Sequence, residues 1–299
     1  MQNNRVIPRV AAIHDLSGFG KVSLTEAIPI LSAMGVEVCP LPTAVLSTHT
    51  YEFQNYTLCD LTEEMPKIIA HWRQIGLSFD AVYSGYMSSE RQIDITAEFM
   101  TEQRTKGALA VVDPVMGDNA LLDVQTVYSD RMKNLIGGMK QLSAMADIIT
   151  PNVTEACLLL DIPYPNHPLC NAEIREMLRG LCDMGAGAAV ITSVMDSENS
   201  MCVAVCDPQT KKYYKINCGY INRPFHGTGD VYTSVLTGGL VKGMPLIDAA
   251  NLAADFVYRA ISRTVAHPEI KIREGVLFEP VLASGYFARA EREQRYVEI

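Results

Sequence analysis

The stretch ADIITPNVTEACLLL, residues 146–160, sets a strand, a stop and a helix end to end. Apolar and β-branched residues lead into Pro151, which lacks the N–H that a central strand or a helix interior needs. From Thr154 onward TEACLLL reads as the opening of a helix. A strand that stops at a proline and passes straight into a helix is half of a β-α-β unit. The same alternation extends in both directions. RVAAI (9–13), VEVCPL (36–41), FDAVYSGY (79–86), ALAVVDP (108–114) and AAVIT (188–192) read as strands. Helices are expected over 23–34, over TEEMPKIIAHWRQIG (62–76) with Thr62 at its start, and over 90–106, 171–184, 229–242 and 247–265. MCVAVCD (201–207) and KYYKINC (212–218) read as an antiparallel pair, and a loop-rich tail follows residue 265.

This rhythm predicts an α/β fold: a mainly parallel central sheet with helices on both faces. No linker, repeat or low-complexity segment interrupts it, so residues 1–299 read as one domain. The chain is 48% hydrophobic and 20% charged, ordinary for a globular protein. Its 34 acids against 25 bases give a net charge of −9 with no basic block, which argues against nucleic acid or an anionic membrane as partner. No apolar run reaches the roughly 20 residues needed to span a bilayer. The opening MQNNRVIPRVAAIHD lacks a signal-peptide pattern, and the eight scattered cysteines form no CxxC pair. Both features point to reduced thiols in a cytoplasmic protein. The pair Cys202 and Cys206 lacks further ligands nearby in sequence, so a metal site there is the weaker reading.

Ligands of open α/β sheets sit at the carboxyl ends of the strands. Here those ends are polar: His14-Asp15, Ser84-Gly85-Tyr86, Asp113 followed by Gly117-Asp118, Thr150-Pro151-Asn152 with Glu155, and Thr192-Ser193. Carboxylates converging on one edge repel one another unless a cation lies between them. Asp118 and Glu155 suit Mg²⁺, which takes one or two carboxylates and keeps several waters. Asp113, Thr150 and Thr192 either hold structure by hydrogen bonding or help hold a monovalent ion. GFGKVS (18–23) resembles part of a phosphate-binding P-loop, but Asp15 and Val22 occupy the positions that need glycine and a hydroxyl. The same stretch lacks the third glycine of the dinucleotide fingerprint. His14, Asp15 and Ser17, near neighbours on one strand end, do not make a catalytic triad.

HGTGDVYTSVLTGGL (226–240) sets Gly227 and Gly229 ahead of a helix. That combination suits an anion, since it offers a tight turn, unpaired N–H groups and the positive end of the helix dipole. Asp230 has the wrong sign to touch a phosphate. It fits instead as a base that takes a proton from the group receiving the phosphate, or as no more than a helix cap.

STHT (47–50), SGY (84–86), VVDPVMGD (111–118), DIITPN with TEA, VITS (190–193) and GTGD (227–230) occur in this order. Together they resemble the pyridoxal/pyridoxamine kinases of the ribokinase-like superfamily over essentially the whole chain. The resemblance implies ATP-dependent phosphorylation of the 5′-hydroxymethyl group of a vitamin B6 vitamer. It makes Asp230 the base and Gly227, Thr228 and Gly229 the anion hole. Asp118 and Glu155 become the Mg²⁺-linked acids, and Asp113, Thr150 and Thr192 the monovalent-cation (K⁺ or Na⁺) position. Asn152, Thr192, Ser193 and Thr228 fall near the nucleotide. Thr50 and Tyr86 fall in the substrate pocket, and a homodimer is implied. Asp15 departs from the serine common in such kinases. Its carboxylate either reads a charged vitamer or points away, leaving Ser17 or the backbone to do so. The segment 119–127, NALLDVQTV, is expected to act as a lid. Hydroxymethylpyrimidine or sugar phosphorylation, or an idle B6- or nucleotide-binding protein, are the alternatives on the same fold.

Overall fold

The computed structural model describes residues 6–117, 134–221, 223, 225–288 and 293–299. Asp118 and the expected lid at 119–127 lie outside them. The strands are β1 (Arg9–Ser17), β2 (Glu37–Leu46), β3 (Leu58–Asp60), β4 (Ala81–Ser84), β5 (Leu109–Val112), β6 (Ile148–Ile149), β7 (Ala189–Ser197), β8 (Ser200–Asp207), β9 (Lys212–Cys218) and β10 (Tyr296–Glu298). They form one ten-stranded sheet in the order β10-β9-β8-β7-β6-β5-β4-β1-β2-β3. Every pairing from β2 through β1, β4, β5 and β6 to β7 is parallel. The flanks β3, β8, β9 and β10 are antiparallel.

The described helices are α1 (Leu24–Ala33), α2 (Met65–Gln74), α3 (Glu90–Thr105), α4 (Ile136–Ala144), α5 (Val153–Leu160), α6 (Asn171–Asp183), α7 (Thr228–Val241), α8 (Leu246–Val265) and α9 (Glu279–Ala283). Alternate strand residues divide the core in two. Ala11, Ile13, Val82, Ala110, Val112, Ile149 and Ile191 pack with Ile69, Phe99, Met139, Cys157 and Leu178 of α2 to α6. Val10, Tyr83, Val111, Ile148 and Val190 pack with Leu31 of α1, Val231 and Val235 of α7, and Phe256 of α8. Burial on both faces explains why these strands read as unbroken apolar runs rather than as alternating ones.

Three boundaries differ from expectation for local reasons. Helix α2 begins at Met65 rather than Thr62. Thr62 is drawn elsewhere: its hydroxyl accepts from Gln92 Nε2 at 2.9 Å, and Pro66 suits only the first helical turn. The tail contains α9, and β10 extends the sheet beyond β9, with Tyr296 edge-on to Tyr214 at 5.8 Å. Strand β3 is three exposed residues, too short to leave a period in the sequence. Cys206 Sγ lies 3.3 Å from Cys182 Sγ, and all eight cysteines are free thiols.

Candidate active site

Backbone hydrogen bonds place the polar strand ends side by side. Gly85 donates to Ile13 O (3.1 Å), Asp113 to Ser84 O (2.8 Å), Thr150 to Val112 O (3.1 Å) and Thr192 to Pro151 O (2.9 Å). His14, Ser84, Asp113 and Thr150 therefore stand in one row at the carboxyl edge of the parallel strands. Helix α7 delivers its N-terminus to this row. Gly227 caps it in the left-handed region, with φ 81°. A Cβ there would lie 2.5 Å from Lys21 O and 2.6 and 2.7 Å from the two Glu26 carboxyl oxygens. Both the backbone angle and the close approach require glycine.

Asp230, in the first turn of α7, accepts a hydrogen bond from the Ser23 backbone N–H at 2.9 Å through Oδ2. Its Oδ1 lies 3.6 Å from His14 Nδ1. His14 is fully buried, edge-on to Tyr83 at 4.4 Å, and burial pushes its pKa down to about 3. It is a neutral imidazole at physiological pH and adds no positive charge to the site.

Asp15 is buried at the end of β1, where its Oδ1 accepts from Ser23 Oγ (2.7 Å) and its Oδ2 from Ser17 Oγ (3.0 Å). Burial raises its pKa, and these two donors work against that rise. Asp113 Oδ2 accepts from Thr233 Oγ1 (3.2 Å), which also shares a proton with Thr150 Oγ1 (2.9 Å). Burial, and after it the charge of Asp230, lifts the Asp113 pKa well above the carboxylate range. Thr192 is joined to Asn152 by a parallel bridge, and Ser193 sits at φ 56°. Thr228 donates its hydroxyl to Phe225 O at 3.3 Å. Thr50 is exposed and Tyr86 half-buried, on the loops that follow β2 and β4.

Asn152 and Glu155 form a capping box at the start of α5: Glu155 N donates to Asn152 Oδ1 (3.0 Å) and Asn152 N to Glu155 Oε2 (2.8 Å). Glu155 Oε1 also accepts from Met116 N (3.0 Å) and Gly117 N (3.3 Å), while Asn152 Nδ2 donates to Gly117 O (2.5 Å). Glu155 thus anchors the loop that leads toward Asp118.

Residues outside the expected set also shape the site. Glu26 is fully buried beneath Gly227, neither of its oxygens has a hydrogen-bond partner among the described residues, and burial followed by the nearby Asp230 charge raises its pKa well above the ordinary value. Ser23, at φ 55° and ψ −128°, bonds both Asp15 and Asp230. Thr233 lies one helical turn after Asp230, a spacing that could have singled it out. His49 accepts from Tyr51 N through Nδ1 (3.1 Å), so its Nε2 carries the proton given to Arg273 O (2.7 Å). The glycines of GFGK now have a role, because a side chain on Gly20 (φ 82°) would collide with the His49 ring. Gly18 likewise approaches Ser47 O, so both seat the 47–50 loop.

Asp15, Glu26, Asp113 and Asp230 thus gather on one edge, while Lys21, the nearby ammonium, is engaged by Val276 O (3.1 Å) and Glu279 (3.0 Å). An acid-rich edge of this kind fits a divalent cation on donor chemistry. Among the described residues, Glu155 would help hold it, beside Asp113 and Thr150. Among those residues no cluster of three or more His, Cys, Asp or Glu side chains is assembled for a metal by protein alone.

The sheet, its strand order and the glycine turn at α7 define the ribokinase-like class of fold. The family model of phosphomethylpyrimidine kinase matches residues 28–273. The chain belongs to that family. It is similar to a phosphomethylpyrimidine kinase structure from Bacteroides thetaiotaomicron in a form with pyridoxal, at 42% identity and TM-score 0.88, covering 98% of this chain and 100% of that one. Pyridoxal kinase PdxY of Actinobacillus pleuropneumoniae is 36% identical over 277 residues, 88% of this chain and 89% of that protein. The thiamine biosynthetic bifunctional enzyme TH1 of Arabidopsis thaliana is 25% identical over 86% of this chain, which spans about half, 47%, of that enzyme's length. No described helix is long and apolar enough to cross a membrane.

Proposed function

We propose that this protein is an ATP-dependent pyridoxal/pyridoxamine kinase, a cytoplasmic homodimer that phosphorylates the 5′-hydroxymethyl group of a B6 vitamer. The observation that carries this reading is the position of Asp230. Its carboxylate stands in the first turn of α7, beside the left-handed Gly227 turn and at the carboxyl edge of the sheet. There it can accept the hydroxymethyl proton as the oxygen attacks, while the N–H groups of 227–229 meet charge on the phosphoryl group. The Ser23 N–H orients the carboxylate. His14, held neutral by burial, leaves the proton for Asp230. When bound, Mg²⁺ supplies positive charge to the phosphate oxygens. Asn152, Thr192 and Ser193 stand at the neighbouring strand ends, where the nucleotide is placed, with a monovalent ion at Asp113 and Thr150. Pyridoxal in the 42%-identical Bacteroides structure supports the acceptor class.

Hydroxymethylpyrimidine is the second reading, favoured by the family match and the thiamine-enzyme relative. A kinase assay with pyridoxal, pyridoxamine, pyridoxine and hydroxymethylpyrimidine in parallel decides between the two. Preferred turnover of a B6 vitamer is expected, and preferred turnover of hydroxymethylpyrimidine would overturn the proposal.

A further inference from the structure

Ser23 opens α1 from a backbone conformation that side-chain-bearing residues avoid, with φ 55° and ψ −128°. The sequence Ser23-Leu24-Thr25-Glu26 has the spacing of a capping box, in which Ser23 Oγ would accept from Glu26 N and Glu26 would accept from Ser23 N. Neither bond forms. Ser23 makes no side-chain cap, and Glu26 is left buried without a hydrogen-bond partner among the described residues. Both donor groups of Ser23 point elsewhere: its N–H to Asp230 Oδ2 at 2.9 Å and its hydroxyl to Asp15 Oδ1 at 2.7 Å. The residue is buried, so water is not a ready substitute for either bond. A strained residue persists only where its surroundings over-determine it. Here two carboxylates, contributed by β1 and α7, do so.

We propose that Ser23 is a positioning residue that ties substrate reading to catalysis, its hydroxyl fixing Asp15 and its backbone N–H fixing Asp230. The proposal rests on the B6-kinase reading of the site. Each carboxylate holds the serine in the geometry that the other needs. The hydroxyl draws the backbone into the left-handed region, and that backbone aims the N–H at the base. Where Asp15 reads the vitamer, fixing its carboxylate also fixes the group that meets a substrate ammonium.

The test compares wild type with Ser23→Gly and Ser23→Ala, using pyridoxal and pyridoxamine as acceptors. Both variants remove the hydroxyl, so both should raise KM for pyridoxamine relative to pyridoxal by about tenfold. They should differ in kcat. Glycine accepts the left-handed angle and keeps the N–H near Asp230. Alanine, released from Asp15, relaxes away from that angle, and its kcat should fall about tenfold below that of the glycine variant with either vitamer. The glycine variant, which adopts the backbone angle without strain, should melt above the alanine variant. A residue with only a structural role would scale both vitamers alike. An unchanged vitamer ratio in both variants, or equal kcat for glycine and alanine, overturns the proposal while leaving the kinase reading intact. A wild type that phosphorylates neither vitamer overturns both.

Discussion

Asp230 accepts from one backbone N–H and faces, at 3.6 Å, an imidazole that burial keeps uncharged. A carboxylate so placed is positioned to take a substrate proton. Asp230→Asn keeps the shape and removes the basicity, so nucleotide affinity should persist while kcat drops by roughly 10²- to 10⁴-fold. Near-normal turnover in steady-state kinetics would reduce Asp230 to a helix cap. Glu26 offers a second test. Its pKa is raised by burial and then by Asp230, so above the ordinary value of 4.5 the folded chain keeps a proton that the unfolded chain releases. Stability therefore falls as pH rises through that window. His14 has the opposite sign, since its folded pKa of about 3 makes stability rise between there and 6.5 and contributes no slope above. Above about pH 6.5, where His14 adds no slope, Glu26→Gln should flatten the decline of unfolding free energy with pH, by at most about 1.4 kcal/mol per pH unit. Parallel curves for wild type and variant would show Glu26 to be ionised already.

At the scale of elements, the start of α7 concentrates the chemistry. Gly227→Ala would force alanine into φ 81° at a cost of about 1–2 kcal/mol and press its methyl against Lys21 O and Glu26. Both a lower denaturation midpoint and a loss of kcat are expected, and a variant with wild-type values of both would remove the turn from the mechanism. The sequence made this element legible, because glycine, aspartate and helix onset are local signals. It made the strand–proline–helix of 146–160 legible for the same reason. Ser23 and Glu26 were not legible. Their chain neighbourhood advertises a capping box, and the partners that undo it lie 8 residues away at Asp15 and 207 away at Asp230. Thr62 shows the same limit in miniature, since Gln92, 30 residues on, takes the hydroxyl that would have capped a helix. The end of the chain escaped notice because a three-residue strand is fixed by the edge it joins rather than by its own pattern.

Across the whole molecule, the sheet order places β1 between strands that follow it in sequence, with β2 on one side and β4 on the other. The site is therefore assembled from opposite ends of the chain, and the bond from Ser23 to Asp230 closes a separation of 207 residues. That separation has a kinetic meaning. Local β-α contacts form early in folding, whereas closure of so long a loop waits for the intervening strands to find their places. Secondary structure should thus return ahead of function when the denatured chain is diluted from urea. The far-ultraviolet circular dichroism signal should recover before enzymatic activity in the same sample, and simultaneous recovery would disprove the ordering. On a ribosome the same logic makes competence a late event. A nascent chain that has emerged only through β7 carries every parallel strand and none of the turn at 227–230, so on the proposed mechanism it cannot transfer a phosphoryl group until that turn has emerged.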